Sequence, residues 1–177
     1  MPGPVFLDGE HISLRTPEEE DVGFLQRNIN DPRVRRPIGT VAPMSASDEE
    51  EWIDGANDEG VSLLICIGGD PVGTIGLSGI NELWGRAEVG YWLTPAAWGE
   101  GYATAATELL VEYGFDQRRL NKVVAHAFAF NAGSRRVLEK VGFTEEGVHR
   151  AEAFVNGEFV DVHRYGLLVN EWREGDE

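Results

Sequence analysis

Residues 88–104 read EVGYWLTPAAWGEGYAT, and they are the most informative part of the sequence for both fold and chemistry. Its first six residues have a strand pattern, and a glycine-rich turn then leads into the apolar periodicity of a helix. The first N–H groups of a helix have no intrahelical acceptors and carry partial positive charge. Small residues at Gly99, Gly101 and Ala103 leave room for an anion, so the stretch predicts a phosphate-binding turn.

Two common phosphate-binding loops do not fit this turn. A P-loop ends in Gly-Lys-Ser/Thr, whereas here Gly101 is followed by Tyr102. A dinucleotide fingerprint needs a third small residue where this chain has Thr104, and an acid at the end of the next strand. The predicted strand 122–128 ends without an acid, so this fingerprint is excluded as well.

Two later segments extend the pattern. Residues 131–143 read NAGSRRVLEKVGF, and residues 156–165 read NGEFVDVHRY. Together with the 98–103 turn, they resemble the motifs of the GNAT superfamily of N-acetyltransferases in the order that the family has them. The segment Tyr91-Trp92-Leu93 before the turn is typical of the branch that includes the ribosomal-protein N-terminal acetyltransferases. Trp98 departs from the family pattern, which has Gln or Arg at this position.

The resemblance implies an α/β fold. We expect a mixed, mostly antiparallel sheet with a central, splayed pair of parallel strands, and helices on both faces. Residues 1–177 are expected to form a single acetyltransferase domain.

The turn and the second motif hold acetyl-CoA in this family, so the resemblance implies an acetyl-CoA site without a metal. The expected cofactor-binding residues are Leu93, Trp98, Gly99, Gly101, Tyr102, Ala103, Thr104, Asn131 and Ser134. Outside the motif, Asn131 would be interpreted as a helix N-cap and Ser134 as a first-turn polar residue.

Direct transfer of the acetyl group to an amine is the reaction that the resemblance implies, with Glu88 and Ser134 as the catalytic residues. Glu88 precedes the turn, close to where some members carry a catalytic glutamate base; the alternative is a carboxylate paired with Arg86. Ser134 is expected to assist the departing thiolate. Tyr165 is a second candidate for that role, although a core aromatic is the favoured interpretation.

The expected acceptor is the α-amine of a protein or peptide, by resemblance to the N-terminal acetyltransferase branch. At pH 7 about one-tenth of an α-amine is free base, against about one part in 2,500 for a lysine, so a modest base suffices. A small amine (polyamine, amino acid or antibiotic) stays open as the acceptor, and a homodimer stays open as the assembly. The competing class is a CoA-binding module without catalytic activity. CoA is expected to be bound mainly by backbone groups, and these remain when catalytic side chains are lost.

The chain is strongly acidic, with 31 Asp and Glu against 15 Lys and Arg and a net charge of −16. Such a field repels phosphate, so neither a nucleic acid nor an anionic membrane is expected as a partner. The sequence shows no signal-peptide pattern, and the protein is expected to be cytoplasmic. Only two basic residues are lysines (Lys122 and Lys140), which favours an acidic proteome and a halophilic source; an ordinary acidic protein of a mesophile is the alternative.

The histidines and the cysteine give weaker signals. The histidines occur singly and without cysteine partners, so a metal site is not expected. His126 lies in an apolar strand pattern, which favours a core histidine over one that faces the acyl site. Cys66 is interpreted as a small buried hydrophobe.

Elsewhere the patterns predict a strand over 11–15 and two helices, capped by Thr16 with Glu19 and by Ser47 with Glu50. They further predict strands over 61–67, 72–80, 87–93 and 122–128, helices over 101–117 and 131–141, and a final hairpin of 143–155 with 158–169.

Overall fold

The computed structural model describes residues 2–175, which contain eight strands and six helices. The strands are β1 (Val5–Asp8), β2 (Ser13–Arg15), β3 (Val61–Ile67), β4 (Asp70–Asn81), β5 (Arg86–Leu93), β6 (Lys122–Phe128), β7 (Thr144–Val155) and β8 (Glu158–Leu168). The helices are α1 (Val22–Ile29), α2 (Pro32–Ile38), α3 (Ala46–Asp54), α4 (Tyr102–Gln117), α5 (Ala132–Val141) and α6 (Val169–Gly175).

The strands form one sheet in the order β1-β2-β3-β4-β5-β6-β8-β7. Within the described residues, β5 and β6 are parallel and the other neighbours are antiparallel. The parallel ladder runs only from the Arg86–Lys122 pair to the Glu88–Val124 pair, and the strands separate beyond it. The predicted mixed sheet with one splayed parallel pair is therefore confirmed.

Helices cover both faces of the sheet. Leu63 and Ile65 of β3 belong to a core that includes side chains of α4 and α5, whereas Leu64 and Cys66 belong to a second core with Leu25 of α1. This division follows from the two-residue period of a strand, which sends successive side chains to opposite faces. The expectation of helices on both faces is confirmed.

Helices α4 and α5 lie where the sequence predicted them. Gly101 precedes α4 in a left-handed conformation. Asn131 caps α5 by accepting a hydrogen bond from the Ser134 backbone N–H at 3.1 Å. Gly142, with a φ of 109°, ends α5 as predicted.

The N-terminal caps differ from the predicted ones. The cap of α3 is Ser45, whose hydroxyl accepts from the Asp48 N–H at 3.2 Å while Asp48 accepts from the Ser45 N–H at 2.6 Å. Ser47 therefore lies inside the helix, and the predicted cap was wrong by two residues. Thr16 starts no helix, because Glu18 precedes a 3-10 turn (Glu19–Asp21) and α1 begins at Val22.

Three elements lie outside the sequence prediction: β1, α2 and α6. Asp31 caps α2 by accepting from the Arg33 N–H at 2.9 Å, and Pro32 occupies the first helical position. In the described residues no helix is both long and apolar enough to cross a membrane.

Candidate active site

A cleft of about 880 Å³ is lined by residues of β5 and β6, the strands that separate at the centre of the sheet. One wall, called here the α4 side, is formed by residues 97–99, 101–104, 131–134, 136–138 and 140. The opposite wall, the α2 side, is formed by Arg33, Val34, Pro37, Ile38, Trp52, Phe128 and Phe130. The cleft brings together all nine predicted cofactor-binding residues, from Leu93 to Ser134.

The turn that leads into α4 depends on glycine for its conformation. Gly99 and Gly101 have φ angles of 80° and 83°, in the left-handed region that disfavours other residues. A Cβ placed on either glycine would meet nothing within 4 Å, so the space beside the turn is open. The backbone conformation explains both glycines, and the open space fits a bulky anion such as a pyrophosphate.

Trp98 closes the turn onto the preceding strand. Its indole N–H donates to the carbonyl oxygen of Leu93 at 3.0 Å, while about half of the side chain stays exposed. The residue that departs from the family pattern therefore has a structural role of its own, because it ties the turn to the end of β5.

Ser134 lies in the first turn of α5, where its backbone is fixed by Asn131. Its hydroxyl lies 3.1 Å from the hydroxyl of Tyr91, which also lines the cleft. Burial raises the pKa of Tyr91 to about 12, so the phenol stays protonated at neutral pH. The structural alternative for Asn131, a helix N-cap, is observed, and the cap presents Ser134 to the cleft.

Glu88 does not line the large cleft. Its carboxylate contacts Nδ1 of His126 and faces a smaller cavity of about 300 Å³. The hydrogen bond from His126 lowers the pKa of Glu88 and outweighs the opposite effect of burial. The carboxylate is paired, as the alternative for Glu88 required, but its partner is His126 instead of Arg86.

His126 is half-exposed and lines the large cleft, so its interpretation as a core histidine was wrong. Its strand neighbours Ala125 and Ala127 are buried, whereas the His126 side chain points to the opposite face. Tyr165, in contrast, is 1% exposed and accepts a hydrogen bond from Arg135 Nε at 3.2 Å, outside the large cleft. The favoured interpretation of Tyr165 as a core aromatic is confirmed.

The charge of the cleft is opposite to that of the protein. Among residues 2–175, those that line the cleft include Arg33, Arg136 and Lys140 but no Asp or Glu. Arg136 and Lys140 lie four residues apart on α5, on one face of the helix. Neither residue was predicted as a site residue from the sequence, although this spacing within the second motif is a usable signal. In the described residues, no group of three or more His, Cys, Asp or Glu side chains could hold a metal ion.

Residues 11–144 match the family described as the acetyltransferase (GNAT) domain. The chain belongs to the GNAT superfamily of acetyltransferases. A Bacillus subtilis (strain 168) protein, provisionally named ribosomal N-acetyltransferase YdaF, is 34% identical to this GNAT chain and covers 95% of it and 96% of its own length. The chain is thus an acetyl-CoA-dependent acyltransferase, and the predicted family is confirmed.

Two further comparisons concern polyamine enzymes. The spermidine N(1)-acetyltransferase of Escherichia coli (strain K12) is 26% identical and covers 91% of this GNAT chain and 88% of its own length. The crystal structure of spermidine N-acetyltransferase from Vibrio cholerae, in complex with CoA and spermine, is similar with a TM-score of 0.86 at 24% identity. It covers 93% of this chain and 99% of its own, and it shows that the two proteins share a fold.

Proposed function

We propose that this enzyme transfers the acetyl group of acetyl-CoA to the α-amine of a protein or peptide N-terminus. The relatives leave two classes of acceptor, since one is named for ribosomal N-acetylation and another for spermidine. The observation that supports the α-amine is the absence of Asp and Glu from the described residues that line the cleft.

The two classes of acceptor differ in their charge and therefore in the binding site that they need. Spermidine is a polycation at neutral pH because its amines titrate well above 7, and a site selective for it needs carboxylates to offset the lost hydration. The α2 side offers instead aromatic and aliphatic surface, with Trp52, Phe128 and Phe130. Arg33 at its edge is paired with Asp31 at 2.6 Å. Such a wall fits an uncharged or acidic peptide end with a single amine.

The α4 side fits the CoA portion of the co-substrate. The open space beside Gly99 and Gly101 and the first N–H groups of α4 suit the pyrophosphate. Arg136 and Lys140 on α5 add positive charge, which suits the CoA phosphate group that lies outside the pyrophosphate. Because backbone N–H groups provide much of this phosphate binding, CoA can bind to a protein of net charge −16.

The chemistry needs an oriented amine and a leaving group that can accept a proton. Holding the amine against the thioester supplies much of the rate, since an oriented pair reacts as if at high local concentration. The Ser134 hydroxyl protonates the departing thiolate, and the Tyr91 hydroxyl, 3.1 Å away, replaces that proton.

A panel of acceptors tests the assignment. Purified protein is given acetyl-CoA with peptides of varied N-termini or with spermidine, and thiol release and product mass are followed. We expect kcat/KM for the best peptide to exceed that for spermidine at least about tenfold, the effect of about 1.4 kcal/mol of discrimination. A preference for spermidine would contradict the α-amine assignment. Acetyl-CoA binding without thiol release for any amine would identify a CoA-binding module.

A further inference from the structure

A carboxylate and an imidazole meet where the two parallel strands separate. Glu88 forms the last residue pair of the parallel ladder, with Val124, and His126 lies two residues further along β6. Val124 and His126 share one face of the sheet, as does Glu88, because side chains in register point the same way. The Glu88 carboxylate reaches across the gap to Nδ1 of His126.

The two members of this pair face different spaces. His126 lines the cleft that also contains Tyr91 and Ser134, whereas Glu88 lines the smaller cavity. An anion at Nδ1 keeps the ring proton on that nitrogen, which leaves Nε2 as the basic atom of a neutral imidazole. The arrangement presents a base to the cleft and keeps the carboxylate behind it.

The surroundings keep Glu88 anionic. The other ionisable groups that line the smaller cavity come from four strands: Arg86, Lys122, Glu146, His149 and Arg164. Lys122 is neutralised by Glu146, with contacts of 2.7 and 2.8 Å, and Arg164 donates to Glu152 at 3.0 Å. After the hydrogen bond from His126, the positive charges of Arg164 and Arg86 further lower the pKa of Glu88. The carboxylate is therefore ionised at neutral pH and fixes the ring tautomer.

We propose that His126 is the base that removes the proton of the acceptor amine, and that Glu88 is a positioning residue that acts through it. The inference rests on the proposed N-acetyltransferase function and revises the role predicted for Glu88. The amine nitrogen bonds to the thioester carbonyl carbon and gives a proton to Nε2 of His126, and the C–S bond then breaks. The thiolate takes a proton from Ser134, which regains one through Tyr91 from solvent, and the imidazolium releases its proton to water.

Kinetics of His126→Ala, Glu88→Ala and the double variant separate the two roles, with thiol release as the readout and the best peptide as acceptor. We expect His126→Ala to lower kcat about 100-fold, the usual contribution of a general base, with little change in KM for acetyl-CoA. Glu88→Ala should lose less, and the double variant should be no slower than His126→Ala. Independent, multiplying losses would overturn the proposal, because Glu88 would then act without His126.

Chemical rescue distinguishes a missing base from a damaged structure. Imidazole in the buffer should restore a large part of the rate of His126→Ala and none of the rate of Glu88→Ala. Rescue of Glu88→Ala by formate, with His126→Ala unaffected by imidazole, would make Glu88 the base and overturn the assignment. His163→Ala is the matched control, since His163 receives the same kind of contact from Glu145 at 2.8 Å but lines neither cavity. It should keep wild-type activity and show no response to imidazole.

The ring tautomer gives a readout that is independent of turnover. Long-range ¹H–¹⁵N spectra, assigned by the signal that His126→Ala removes, should show the Nδ1–H form in the wild type and lose that preference in Glu88→Ala. An Nε2–H form in the wild type would overturn the inference. A wild type that releases no thiol with any amine would overturn the proposed function itself, whereas an active wild type with an equally active His126→Ala would overturn only the role of His126.

Discussion

On the α4 side of the cleft the lining residues come from two short stretches and many of them are small, whereas on the α2 side most are bulky and come from several separate elements. The first wall needs glycine at fixed positions, because Gly99 and Gly101 adopt left-handed conformations. The second wall needs only that the fold bring Val34, Trp52 and Phe128 together. Co-substrate binding therefore leaves a local sequence pattern, while acceptor selectivity depends on long-range packing.

The α4 side is tested most sharply at Thr104, the third residue of α4. Thr104→Glu should keep the helix stable, since an acid in the first turn complements the helix dipole, but it should repel the pyrophosphate. Two charges about 4 Å apart interact by about 4 kcal/mol near a protein surface, so acetyl-CoA affinity should fall up to about 1,000-fold. Calorimetry measures the loss, with Thr104→Gln as the neutral control. Equal affinity in the two variants would show that the phosphates bind elsewhere.

This substitution tests the turn better than one at Gly101. A residue with a Cβ at Gly101 would be strained by its φ of 83°, so a loss of binding there would not separate strain from repulsion.

Ser134 is the next site in order of effect. Ser134→Ala should lower kcat about 100-fold if its hydroxyl protonates the thiolate, with acetyl-CoA affinity retained. Tyr91→Phe should cost less, and the double variant should be close to Ser134→Ala because the two hydroxyls act in series. Stopped-flow measurement of thiol release separates this step from product release. A Ser134→Ala enzyme with wild-type kcat would remove the serine from the mechanism.

The α2 side is tested through charge. Ile38 ends α2, lines the cleft and is partly exposed, so a carboxylate is tolerated there. Ile38→Glu should raise kcat/KM for spermidine relative to a peptide about tenfold, the effect of about 1.4 kcal/mol of added attraction. Ile38→Gln has nearly the same shape without the charge and should leave the ratio unchanged. Identical ratios in Glu and Gln variants would show that this wall does not contact the acceptor.

The motif-bearing segments were predictable because their function and their local structure coincide. The strand, turn and helix of residues 88–117 follow from periodicity and glycine placement, and the Asn131 cap from one short pattern. The caps of α3 were not separable in this way, because Ser45 with Asp48 and Ser47 with Glu50 both fit a capping box two residues apart.

His126 shows a different limit of sequence reasoning. Its neighbours are apolar because they face the core, and the histidine between them faces the other way, so the run as a whole looks buried. Its partner Glu88 is 38 residues away in the chain. No local pattern joins them, and the contact depends on the register of the β5–β6 ladder.

A smaller effect is expected from Glu49 on α3, which is 5% exposed and whose Oε1 has no hydrogen-bond partner in the described structure. Burial raises the pKa of Glu49, so the folded protein binds this proton more tightly than the unfolded chain does. Burying the ionised carboxylate lowers the free energy of unfolding at pH values above the pKa that Glu49 has in the folded protein. This cost disappears below the pKa of the unfolded chain, about 4.3. Glu49→Gln should therefore gain about 1 kcal/mol at pH 7 and little at pH 4 in urea titrations. A gain independent of pH would contradict this origin.

The smallest single effect concerns surface charge and the proposed halophilic origin. Glu51 is exposed on α3, and Glu51→Lys should stabilise by up to about 0.5 kcal/mol in dilute buffer and by less in about 1 M KCl, where the Debye length is about 3 Å.

The wild-type melting temperature should rise with KCl into the molar range. A melting temperature that is flat above 0.1 M would remove the halophile hypothesis. Glu49, being buried, does not suit the same exchange.

The short β5–β6 ladder has a mechanical consequence. In the part of the chain that the structure describes, the β5–β6 ladder between strands β1 to β5 and strands β6 to β8 has three residue pairs, although β5 has eight residues and β6 has seven. A co-substrate that fills the gap beyond Glu88 would contact both strands and add a connection between the two parts of the sheet, which already share one hydrophobic core. Amide hydrogens of β5 and β6 next to the gap should then exchange more slowly when acetyl-CoA is present, while those of β7 and β8 at the far edge keep their rates.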